Sequence, residues 1–262
     1  MIKNLTILLI LAIALISCKS ENKQEIDSTV TVDAATLTPE QELILSVEKA
    51  HHKKGYLDKE VLQFDIDLNF GGQDQLDATM YVSTDSKYIR IERTDGSVLL
   101  YDGEKVWLSP KEASQNGARF EIFTWSYFFN LPYKLSDDGV NLNQKVDGIT
   151  RMTFDAGTGD APDDWYDLYI NRDTNMLEYA GYIVTYGTTP ANQAALNAHA
   201  IGYEAYQELD GIPIAHQWKF YNYNNGVDTS QVIGEATLTN MQFIKMDEQL
   251  FSKPADAVEI TL

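Results

Sequence analysis

The sequence predicts an α+β fold: one meandering antiparallel sheet of about ten or eleven strands, with two or three helices inserted. Two observations point there. Residues 62 to 70 read LQFDIDLNF, so Leu62, Phe64, Ile66, Leu68 and Phe70 face one way while Gln63, Asp65, Asp67 and Asn69 face the other, the period of a strand with one wet face. Similar runs recur around Asp102-Gly103, Asp210-Gly211 and Asn225-Gly226, dipeptides that accept the positive φ of tight hairpin turns. Apolar residues make up 44% of the 262 positions and charged residues 23%, which is enough apolar mass for a core and too much for a disordered chain.

At the amino terminus, Lys3 precedes an aliphatic run from Leu5 to Ile16, broken only by Thr6, and then Ser17 and Cys18. As a helix the run would reach about 18 Å, against roughly 30 Å of bilayer hydrocarbon, so it reads as a signal segment and not as a span. Cys18 is the only cysteine. It therefore makes no internal disulfide and supports no multi-cysteine metal site. Leu15-Ile16-Ser17-Cys18 resembles a bacterial lipobox. The resemblance implies that residues 1–17 are removed and that Cys18 becomes the lipid-bearing first residue, with two or three acyl chains making a stable anchor. Lys19 and Ser20 follow, without the aspartate that retains many lipoproteins in an inner membrane, so the expected place is the outer membrane. Residues 18–38 are polar, without a sustained period, and read as a tether with a reach of about 25 Å.

Thr38-Pro39-Glu40-Gln41 combines a hydroxyl N-cap, proline in the first turn and a glutamine three residues after the cap. Helix is expected from there to about Lys54, with Leu43, Val47 and Ala50 on its apolar stripe and Gly55 as a left-handed cap. After the LQFDIDLNF strand and a turn at Gly71-Gly72, Leu76, Ala78, Met80 and Val82 repeat the alternation. Lys87 to Arg93 reads as a strand, and SVLLYDGEKVWLSP as a hairpin. In residues 118–139, Phe120, Phe123, Tyr127 and either Phe128 or Leu131 recur at helical spacing, which predicts a helix ending near Pro132. Strands resume over 140–154, 165–171 and 177–186. ANQAALNAHA forms a short helical piece, and the chain closes with two hairpins in which Ile212, Ile214, His216, Trp218 and Phe220 share a face. Residues 39–262 read as a single domain.

Acidic residues outnumber basic ones 39 to 20, for a formal charge of -19, which repels phosphate backbones and excludes nucleic acid as a natural partner. No H-E-x-x-H, G-x-S-x-G or P-loop pattern occurs, and the four histidines at 51, 52, 199 and 216 fall in separate contexts, so the expectation is a protein without catalysis and without a cofactor. DAGTGDAPDDW places Asp155, Asp160, Asp163 and Asp164 in a glycine-rich loop, a composition open to calcium though off the EF-hand spacing, and equally the composition of a plain turn. A metal-dependent hydrolase built on this loop is the lesser alternative.

Four Trp, fifteen Tyr and ten Phe either fill the core of a sheet protein or line an apolar cavity on its concave face. Candidate lining residues are Phe64, Ile66, Leu68, Met80, Val82, Trp107, Trp125, Phe128, Trp218 and Phe220.

The lipobox, AHHKKGYL, VLQFDIDLNF, YDGEKVWL, FTWSYFFNLPYKLSDDG and DLYINRDTNMLEYAGYIVTY, in that order, resemble an uncharacterised family of Gram-negative outer-membrane lipoproteins related in fold to the lipoprotein-sorting carriers LolA and LolB. The resemblance implies an open antiparallel half-barrel of about eleven strands, with helices covering the concave face and a hydrophobic cavity that accepts acyl chains. The expected function is a monomeric, lipid-anchored binder or carrier of a hydrophobic ligand. The alternative is an accessory envelope lipoprotein with a filled core and a protein partner.

Overall fold

The computed structural model describes residues 37–145 and 148–262. Cys18, the signal segment and nearly all of the expected tether lie outside the described residues. Among the described residues no helix is long and apolar enough to cross a membrane.

The first helix, α1 (Pro39–Ala50), starts as its sequence predicts: Thr38 Oγ1 accepts from the Gln41 amide at 3.2 Å, and Gln41 Oε1 accepts from the Thr38 amide at 2.9 Å. It ends earlier than expected. His52 adopts a left-handed φ of 53°, and a short α2 (Lys53–Leu57) follows with Gly55 inside it instead of capping it. A left-handed non-glycine residue costs about 1 kcal/mol or more. A hydrogen bond between His52 Nδ1 and the Gly211 carbonyl holds the residue in that conformation.

Five strands follow: β1 (Val61–Phe70), β2 (Gln73–Ser83), β3 (Ile89–Arg93), β4 (Val98–Tyr101) and β5 (Val106–Ser109). Helix α3 (Ala118–Asn130), extended by a 3-10 turn at Leu131–Tyr133, interrupts the meander. Then come β6 (Val140–Gln144), β7 (Thr150–Phe154), β8 (Tyr166–Ile170) and β9 (Leu177–Tyr182), the single-turn α4 (Ala191–Ala194), and β10 (His199–Leu209), β11 (Ile212–Tyr223), β12 (Val227–Ile244) and β13 (Val258–Ile260).

All thirteen strands belong to one sheet in the order β13-β5-β4-β3-β2-β1-β12-β11-β10-β9-β8-β7-β6. The sheet is open, its pairings are antiparallel, and two meanders meet where β12 pairs with β1. The expected count of about eleven was short by two: residues 140–154 are a hairpin of two strands, and the three-residue β13 adds to the edge at β5.

Register explains the core. Ile66 sits opposite Ala78 on one side and Leu238 on the other, and Leu68 opposite Leu76 and Ala236, so apolar side chains on three strands form continuous rows on the concave face. Helix α3 fills that face. Phe129 stacks on Phe64 with centroids 4.9 Å apart, and Phe128 lies 6.2 Å from Phe220. At the far end of α3, buried Asn130 accepts from Tyr56 Oη at 2.8 Å and donates to the Ser126 carbonyl, so the helix is tied to α2 without an unsatisfied amide.

Candidate functional site

The cleft lies beside α3 and away from the middle of the concave face. Its volume is about 420 Å³, within the usual range for small-molecule sites. Phe120, Phe123, Thr124 and Tyr127 line it from the outer flank of α3, with Ile89 of β3 and Tyr101 of β4 at one end, and Phe154 of β7 and Tyr166 of β8 at the other. The loop between β7 and β8 forms the remaining wall through Thr158, Asp160, Ala161 and Asp164. The aromatic walls brace one another: Tyr101 meets Phe123 at 5.1 Å, Phe120 meets Tyr186 at 5.4 Å, and Tyr127 meets Tyr166 at 5.6 Å.

Polar contacts hold the loop in place. Arg119 forms a two-pronged ion pair with Asp160, Nε to Oδ2 at 2.6 Å and Nη2 to Oδ1 at 2.9 Å, and its guanidinium lies 5.1 Å from the Phe123 centroid. Asp155 accepts from Asn141 Nδ2 at 2.8 Å. Asp164 Oδ1 accepts from both the Thr185 amide at 2.6 Å and the Thr185 hydroxyl at 2.8 Å. Burial raises the Asp164 pKa, and neighbouring Asp163 adds to the rise against the pull of the Thr185 bonds. Burial also pushes the Tyr127 and Tyr166 hydroxyls well above their usual range, with Asp164 contributing to both. The Tyr127 hydroxyl is buried without a hydrogen-bond partner among the described residues.

Ten residues were expected to line a cavity, and none of them lines this cleft. Phe64, Ile66, Leu68, Met80, Val82, Phe128, Trp218 and Phe220 are 0–2% exposed and belong to one packed core. The reason is α3, whose Ile122, Phe128 and Phe129 occupy the space that the inward side chains of the sheet face. Trp125 is half-buried, near Phe128 and Phe220. Trp107 points to the opposite face of the sheet, because its neighbours Val106 and Leu108 take the inward positions. There it packs with Leu100 and Phe251, donates from Nε1 to Asp102 Oδ2 at 2.6 Å, and lies 3.9 Å beneath Lys253 Nζ.

Asp155, Asp160 and Asp164 each bind a different protein partner, and among the described residues no group of three or more candidate ligands gathers around a point. Phe120, Phe123 and Tyr127 were visible as a helical stripe, but not as cleft wall. A second aromatic stripe on a helix whose Phe128 and Phe129 already face the core was the available signal.

No protein-family model matches the chain, and no curated protein matches it. Among solved structures, a LolA superfamily protein from Nitrosomonas europaea superposes with a TM-score of 0.50 at 11% identity, over 83% of this chain and 99% of that one. A DUF1329 family protein from Desulfovibrio piger gives 0.48 at 16% identity, over 80% of this chain and 97% of that one. The chain thus has a LolA-like fold: a large open antiparallel sheet with few helices.

Proposed function

We propose that this chain is an outer-membrane lipoprotein that binds a hydrophobic, acyl-like ligand in the cleft beside α3, without catalysis. The observation that carries the reading is the cleft itself: an aromatic-walled space of about 420 Å³ bordered by α3 and a strapped loop. The LolA-like fold supports it, and the lipobox at Cys18 supplies the anchor. The scattered histidines support binding over chemistry: His51 is buried, and His52 is held at the Gly211 carbonyl.

Calorimetric titration of residues 18–262 with straight-chain alcohols from octanol to dodecanol tests the reading. Each added methylene should tighten binding about fourfold, the equivalent of about 0.8 kcal/mol, until the cleft is full. Absence of saturable binding by any member would overturn it. The anchor has its own test: metabolic labelling with a tagged palmitate should mark the wild type and leave Cys18→Ser unlabelled, and a labelled Cys18→Ser chain would refute lipidation at this position.

A filled concave core is what the accessory reading expects, and the packing of Phe64, Met80 and Phe220 supports it for that part of the molecule. Under that reading the alcohols find no saturable site.

A further inference from the structure

The charges around the cleft do not balance. Arg119 is neutralised by Asp160, and Lys134 by Asp137 at 3.0 Å. Two acidic groups on the cleft wall, Asp164 and Glu104, have no cation partner among the described residues. Asp164 is the more confined: its Oδ1 is held by Thr185, and its Oδ2 has no protein donor among the described residues. The same cleft is lined by the rings of Tyr127, Phe154 and Tyr166, which pack against one another at 5.6 to 6.2 Å.

A carboxylate beside aromatic faces is the environment that stabilises an ammonium group, through ion pairing and through the negative face of each ring. It repels a carboxylate or phosphate headgroup, whose counter-charges here are already spent on Asp160 and Asp137. We propose that the cleft selects amphiphiles whose headgroup is a protonated amine, with Asp164 as the counter-charge and Tyr127, Phe154 and Tyr166 as the surrounding rings. This rests on the reading of the cleft as an apolar-ligand site and specifies the class of molecule it takes.

The test is a matched set of dodecyl chains, amine, alcohol and carboxylate, titrated into residues 18–262 below their micellar concentrations. Salt at about 0.3 M limits non-specific attraction to the acidic surface, since screening then acts within several ångströms. Dodecylamine should bind at least about tenfold more tightly than dodecanol, and dodecanoate more weakly than either. Asp164→Asn keeps the oxygen that Thr185 needs, so within that variant the amine should bind no more tightly than the alcohol. Equal binding of amine and alcohol by the wild type, a comparison that needs no variant, would overturn the proposal while leaving the apolar cleft standing. An amine preference that persists in Asp164→Asn would also overturn it. Failure of all three chains to bind would remove the cleft reading, and this inference with it.

Discussion

Two adjacent histidines show how far residue type alone carries. His51 is fully buried between Tyr133 and Tyr206, and its Nε2 accepts from the Leu177 amide at 3.0 Å, so the neutral ring carries its proton on Nδ1. Burial first, and the neighbouring His52 second, lower its pKa from 6.5 to about 4. The unfolded chain therefore binds the proton more readily. Stability contributed by neutral His51 is fully present above pH 6.5 and is lost as pH falls toward 4, by about 3 kcal/mol in all. Urea unfolding across that range should show the slope in the wild type and a smaller one in His51→Gln, and identical slopes would contradict this assignment. The Leu177 partner lies 126 positions away, and no local pattern reveals it. On the outer face, Asp167 is likewise buried. It accepts from Arg151 at 2.7 and 2.8 Å, from Lys145 at 2.8 Å and from Tyr223 at 2.7 Å. Burial opposes its ionisation, yet these bonds hold its pKa below the usual carboxylate value. Asp167→Ala would leave the part-exposed Arg151 and Lys145 and the Tyr223 hydroxyl without this acceptor and should cost about 1–3 kcal/mol in denaturant unfolding.

For single elements, alternation was a sound guide to side and a poor one to surroundings. All the inward residues read from β1 and β2 except the half-buried Phe70 are buried, but period 2 does not say whether an inward side chain meets a void or another side chain. That depends on where α3 docks, a matter of tertiary packing. Trp107 failed for a different reason: Val106-Trp107-Leu108 is apolar throughout, so it carries no alternation, and its facing is settled by pairing with β4 and β13. Strand β13 is only three residues long, too short for a period to register. Glycines within strands mark close approaches that composition did not disclose. A Cβ on Gly181 would sit 2.4 Å from the Tyr223 ring, and one on Gly202 would sit 2.9 Å from the Tyr179 ring, so tyrosines lie flat on the outer face where the backbone is bare. Gly181→Ala should lower stability by about 1–3 kcal/mol through overpacking, measured as a shift in urea midpoint. An unchanged midpoint would show that the tyrosine layer yields freely.

For the molecule as a whole, the fold was legible because it is repetitive: hairpin turns and alternating strands dictate an antiparallel meander, and such a sheet needs only a few helices to cover it. The site was less so. Its walls come from α3, from β3, β4, β7 and β8, and from the loop at 155–164, segments that the sequence presents as a helix, strands and an acidic turn with nothing to say they converge. The carboxylates Asp160 and Asp164 of the acidic loop strap one side of the cleft through Arg119 and Thr185. Ligand binding is therefore proposed beside α3 and not within the concave core. Ala161 lies on the cleft wall, away from the core residues, and a large side chain there fills the space a ligand would occupy. The decisive measurement is the affinity of residues 18–262 for dodecanol in wild type and Ala161→Trp, with thermal unfolding recorded for both. The account predicts at least about a tenfold loss of affinity with the melting transition retained; undiminished binding by a folded Ala161→Trp chain would contradict it.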